Sequence, residues 1–165
     1  MKSLNQYIQE KLIINKDYHD IKIVVKSSDE LRKIIEQRYE EYGTGTEQDP
    51  IDFNDIDVSH IDSFCNDIGK GIFEGTKFKH IDISDWNVSN VTDMEDMFFM
   101  CVELKSVGDI SEWDVSNVTD MQYMFCNVVN FNQDISSWDV SNVRYRMGMF
   151  DGCRQIKNEY KPKFK

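Results

Sequence analysis

Three stretches of this chain repeat almost the same wording. "DISDWNVSNVTDMEDMF" runs from Asp82 to Phe98, "DISEWDVSNVTDMQYMF" from Asp109 to Phe125 and "DISSWDVSNVRYRMGMF" from Asp134 to Phe150. Aligned on Trp86, Trp113 and Trp138, the copies lie 27 and 25 residues apart, within the period range of stacked repeats. One unit of that size cannot bury its own apolar face, so each copy must present the same apolar positions to a neighbour. A degenerate earlier unit, "IDFNDIDVSHIDSF" (Ile51–Phe64), overlays "IDISDWNVSNVTDM" (Ile81–Met94), with Ile56 in the place of tryptophan. About four units then fill residues 51–156.

Inside a copy the apolar period changes. Phe78, Ile81 and Ile83 have the spacing of a short strand in a leucine-rich repeat, and Trp86 and Val88 continue at steps of two. Val91, Met94, Met97, Phe98 and Cys101 then follow at steps of three and four, the stripe of a short helix. Ser89, Asn90 and Thr92 can cap it, with Asp93 and Glu95 in its first turn. The expected fold is therefore an α/β repeat: a leucine-rich-repeat-like solenoid of about four short strand-helix units with a small N-terminal strand-helix cap. Methionine and tryptophan columns at such spacing read as core, not as a metal or haem site.

The chain divides into four parts. Residues 1–20 form an N-terminal amphipathic segment with Leu4, Ile8 and Leu12 on one face; it either packs on the cap or docks to another protein. Residues 21–50 supply a capping strand, Ile21–Lys26, a helix and a linker. In that helix Ser27 and Glu30 suggest a capping box, Leu31, Ile34, Ile35, Tyr39 and Tyr42 an apolar face, and Gly43 the stop. The linker "GTGTEQDP" has two glycines but no following helix, which argues against a phosphate loop. Residues 51–156 are the repeats, and 157–165 a basic C-terminal tail, expected to be mobile.

Charge is laid out unevenly within a net of −11. Residues 1–43 balance, 44–143 carry four basic against twenty acidic side chains, and 144–165 carry seven basic against two acidic. The acidic middle would repel nucleic acid, so the partner expected is a protein, preferably a basic one. No apolar run is long enough to span a membrane, and the first twenty residues lack the apolar core of a secretory signal, which reads as cytoplasmic. Cys65, Cys101, Cys126 and Cys153 form no CxxC pair and read as core thiols.

Candidate site residues follow from the alternation. Asp82, between inward-facing Ile81 and Ile83, should point out, as should Asp109 and Asp134, joined by Asp114 and Asp139. Such like-charged rows either tie off turns, meet a basic partner, or await calcium, which prefers more oxygens than one short turn supplies. No catalytic, cofactor-binding or metal-ligating residue stands out, because polar groups recur in rows and do not converge as dissimilar groups on one pocket. The expectation is a non-enzymatic protein-protein interaction module without a cofactor; the oligomeric state is left open.

"DISEWDVSNVTDMQYMF" and "FNQDISSWDVSNV" resemble the bacterial surface protein 26-residue repeat family, the BspA-like repeats. The resemblance covers roughly residues 51–156 and implies a leucine-rich-repeat-like solenoid used for adhesion or protein binding, with no catalytic residues. "MKSLNQYIQEKLIINKD" is similar to the opening of proteins from Bacteroidales and their crAss-like phages. That likeness implies an alternative: a structural or cargo component of a phage particle, docked through the N-terminal segment and found in the host cell or the virion.

Overall fold

The computed structural model describes residues 22–164. Within them lie one α-helix, α1 (Ser28–Tyr42), and four strands, β1 (Ile23–Val24), β2 (Ile51–Asp52), β3 (Ile56–Asp57) and β4 (Ile81–Asp82). A single 3-10 turn covers Asn158–Tyr160. The strands form two parallel pairs, β1 with β3 and β2 with β4, in the registers Ile23 to Ile56 and Ile51 to Ile81. The expected solenoid of strand-helix units is therefore wrong. No copy contains a helix, and the copies are built from turns.

The reason lies in where the backbone N–H groups go. Those of Met94, Asp96, Phe98 and Met100 donate to the carbonyls of Asp120, Gln122, Met124 and Cys126 in the next copy. Those of Met97, Phe99 and Cys101 donate locally, three residues back, to Met94, Asp96 and Phe98. An α-helix would need every one of them turned four residues back along its own chain. Asp96 and Met100 have φ of 55° and 60°, and Tyr123 and Asn127 have 52° and 61°, left-handed values that no helix contains. Overlapping turns thus produce the same three- and four-residue apolar spacing as a helix. The pattern alone could not separate them.

The layers meet in register. Isolated parallel bridges join Ser63 to Asp93, Asp93 to Asp120 and Asp120 to Tyr145. Down the core, Phe73, Phe98, Phe125 and Phe150 stack with centroids 5.3, 5.4 and 5.9 Å apart and ring planes within 12°. The tryptophan column is shorter. Trp113 lies on Trp138 at 6.2 Å, whereas Trp86 lies against Phe73 and Phe64. The indole N–H of Trp86 donates to the Phe53 carbonyl and that of Trp138 to Ile110, both at 2.9 Å; that of Trp113 has no partner among the described residues. Asn90, Asn117 and Asn142 each donate a side-chain N–H to the serine carbonyl one copy earlier, Ser59, Ser89 and Ser116. This fixes the meaning of the repeated "SNV". The serine locks a turn, the asparagine reaches the previous layer and the valine is buried.

The first layer carries an insertion. Phe64 and Phe73 occupy the sites of Met94 and Phe98, since their N–H groups donate to Asp93 and Met97. The residues between them form a small loop closed by the antiparallel bridge from Cys65 to Gly71, with Ile68 82% exposed.

Helix α1 lies over this layer. Ser27 caps it by accepting from the Glu30 N–H at 3.2 Å, and Gly43, at φ 75°, donates back to Tyr39. Leu31, Ile34 and Ile35 are buried, and Tyr39 meets the Phe78 ring edge-on at 5.3 Å. Tyr42, expected on that face, is exposed, and Arg38 is buried in its stead. Residues 157–164 of the tail, expected to be mobile, make contacts with the last layers: Ile135 donates to the Tyr160 carbonyl, Pro162 is buried and Phe164 packs under Arg146. The segment bearing Leu4, Ile8 and Leu12 lies outside the described residues.

Candidate functional site

The aspartates singled out in the sequence are turn locks. Asp82, Asp109 and Asp134 each accept, through Oδ1, the N–H of the serine two residues on: Ser84, Ser111 and Ser136, all at 3.0 Å. Asp114 does the same for Ser116 at 3.1 Å and Asp139 for Ser141 at 3.0 Å. Asn87 holds Ser89 in the same way at 3.2 Å, so the turn needs the oxygen and not the charge. Hydrogen bonds from the serines hold the carboxyls of Asp109, Asp114 and Asp134 below the usual range. At Asp82 burial works upward, but bonds from Ser84 and Asn54 outweigh it and the net shift is down.

A different acidic group is strained. Asp93, Glu95 and Asp120, half-buried, bring one oxygen each within 4.8 Å of one another, although they come from two copies. Asp93 is held by the Glu95 N–H at 2.9 Å and by the Ser63 hydroxyl at 2.9 Å, and Asp120 by Gln122. Among the described residues the carboxyls of Glu95 and Asp96 take no such bonds. Burial first, then Asp120, Asp96 and Asp93, pushes the Glu95 carboxyl up; burial, then Glu74, Asp120 and Asp93, does the same at Asp96. Three carboxylate oxygens fall short of the six or more that calcium takes. The patch escaped notice in the sequence because Asp93 and Asp120 are 27 positions apart and meet only through the layer register.

Arg38 is the second feature that the sequence hid. It is 6% exposed, pairs with Asp55 at 2.6 Å, donates to the Asp52 carbonyl and lies over the Phe53 ring at 5.0 Å. It borders a groove of about 620 Å³ that Tyr42, Thr44, Asp49 and Asp55 also line. With its guanidinium committed to Asp55 and Asp52, Arg38 serves to fasten α1 to the first layer.

The four cysteines are free thiols. Cys101 donates to the Phe73 carbonyl at 3.0 Å and Cys153 to Phe125 at 2.8 Å, again one copy back. Burial pushes Cys65, Cys101 and Cys153 up to about 11, which leaves almost no thiolate at neutral pH. Among the described residues no helix is long and apolar enough to cross a membrane.

These features define a class first: a stack of turn-built layers whose polar groups recur in rows. Residues 51–164, more than half of the chain, match the family described as "Mycoplasma protein of unknown function, DUF285", and the chain belongs to that family. No curated protein and no solved structure matches it.

Proposed function

We propose that this chain is a non-enzymatic protein-protein interaction module that takes a basic partner on the patch formed by Glu74, Asp93, Glu95, Asp96 and Asp120. One observation carries the reading: Glu95 and Asp96 are crowded by like charges that no cation among the described residues neutralises. Lysine or arginine from a partner would relieve that repulsion on binding, and a partly desolvated charge pair is worth more than one in open water. The acidic turn locks form the surrounding field that draws such a partner in.

Affinity purification from the source cell tests this with three baits: the native chain, E95Q/D96N/D120N, and D114N/D139N. A basic protein should be held by the native bait and by D114N/D139N, released by raised salt, and absent from the triple variant. Retention by the triple variant would overturn the patch as the site.

A further inference from the structure

Along the turns at residues 93–100 and 120–127 the stack is polar: each layer gives N–H groups to the next copy and receives them on its carbonyls from the one before. In the first layer the carbonyls of Ser63, Ile72 and Glu74 occupy the sites of Asp93, Met97 and Phe99, which accept from an earlier copy. Among the described residues no earlier copy stands before them, and α1 fills the place. The Ser28 hydroxyl donates to Ser63, and the Arg32 guanidinium donates to Gly71, to Ile72 at 3.3 Å and to Glu74 at 3.4 Å.

Among the described residues nothing covers the turns of the last layer in this way. By register, Gly148, Phe150 and Gly152 take the sites of Tyr123, Phe125 and Asn127, whose N–H groups donate to Met147, Met149 and Asp151. Among the described residues the N–H groups of Gly148, Phe150 and Gly152 donate to nothing. The carbonyls on the same edge are spent on local turns: Arg146 accepts from Met149, Gly148 from Asp151 and Phe150 from Cys153. Between residues 146 and 152 the edge thus offers donors and no spare carbonyl row, and it is flanked by Tyr145, 57% exposed, and Met147, 61% exposed. Its charge has changed as well. Residues 92–102 carry three acidic side chains and no basic one, 119–129 one and none, and 144–154 one acidic against three arginines.

We infer that this edge is a second docking site, which takes an extended acidic segment of a partner protein laid parallel along residues 145–152, its carbonyls accepting from Gly148, Phe150 and Gly152. The parallel sense follows from the bridges that join one layer to the next, which are all parallel. A second copy of this chain does not fit: two donor edges would face arginine to arginine, and the acceptor end of a copy is already filled by Ser28 and Arg32.

The probe is the peptide NVTDMEDMFFM, which copies residues 90–100, an inner layer whose carbonyls already receive such a row. Titrated into the isotopically labelled full chain, it should shift the amide resonances of Gly148, Phe150 and Gly152 and slow their hydrogen exchange. R144E/R154E, both exposed positions, should weaken binding at least tenfold, and a peptide with its three acidic residues changed to lysine should not bind. Binding without shifts at those three amides, or no binding at millimolar peptide, would overturn the inference. So would a native chain that dimerises in sedimentation while R144E/R154E stays monomeric, since a second copy would then be the occupant.

Discussion

The two ends of the stack have the same fold and opposite treatment. At the first layer, α1 crosses the exposed carbonyls and supplies a hydroxyl and a guanidinium to them. At the last layer, the tail Asn158–Phe164 reaches Ile135 and the aromatic column but leaves the turn-side N–H groups without acceptors. One end is finished and the other is left as a row of donors. A repeated layer therefore does not dictate what happens at its boundaries; the non-repeated segments do.

The largest expected effect tests how far the last layer shares in the core. Phe98 is sandwiched between Phe73 and Phe125, so Phe98→Ala should cost about 3–5 kcal/mol in chemical denaturation. Phe150 has a ring neighbour on one side of the column only and is half-buried, so Phe150→Ala should cost less than half as much. Equal losses would mean that the last layer is as well packed as the inner ones.

Next comes the cap. Arg32→Ala takes the guanidinium from three carbonyls of the first layer, of which Gly71 keeps the Glu74 N–H, and should cost about 1–3 kcal/mol. Arg154→Ala at the open end should stay within about 0.5 kcal/mol. If the two proved alike, the contrast between finished and open ends would fail.

The smallest effect is one of pH. Glu95 and Asp96 have raised carboxyls, so the folded chain holds their protons more tightly than the unfolded one. Stability from them is present at low pH and falls as pH rises from the ordinary carboxylate value of about 4 through the raised ones. The turn locks Asp82, Asp109, Asp114 and Asp134, and Asp57, which accepts the Ser59 N–H at 2.9 Å in the same way, have lowered carboxyls and act oppositely: their stability is present above about 4 and is lost as pH falls through the lowered values. E95Q/D96N should therefore melt a few degrees above the native chain at pH 7 and merge with it near pH 3. D114N should barely move the curve, because Asn87 already does this work uncharged.

Much of this was legible in the sequence, and some parts were not. Helix α1, its Ser27 cap and its Gly43 stop follow from local chemistry that acts within a few residues. The buried valines, methionines and phenylalanines follow from repetition itself. The absence of helices in the copies did not follow, because a bond from Asp96 to Gln122 leaves the apolar spacing of its own segment unchanged. Of the site residues read from the repeats, the five aspartates proved to be turn locks, and the crowded carboxyls lay elsewhere. Arg32 and Arg38 were invisible as fasteners, since their partners stand 39 to 42 and 14 to 17 positions away and nothing near them announces the contact.

The left-handed residues also bear on how the chain ends its run. Asp96, Met100, Tyr123 and Asn127 hold positive φ with a β-carbon to accommodate, whereas the same sites in the last layer are Gly148 and Gly152, at 65° and 75°. Glycine reaches that geometry without steric cost. The inner coils are held in their contorted shape by the grip of companions on both flanks, but the outermost one has a companion on one flank alone. It keeps its shape by being relaxed, which makes it a ready-made seat instead of a frayed hem.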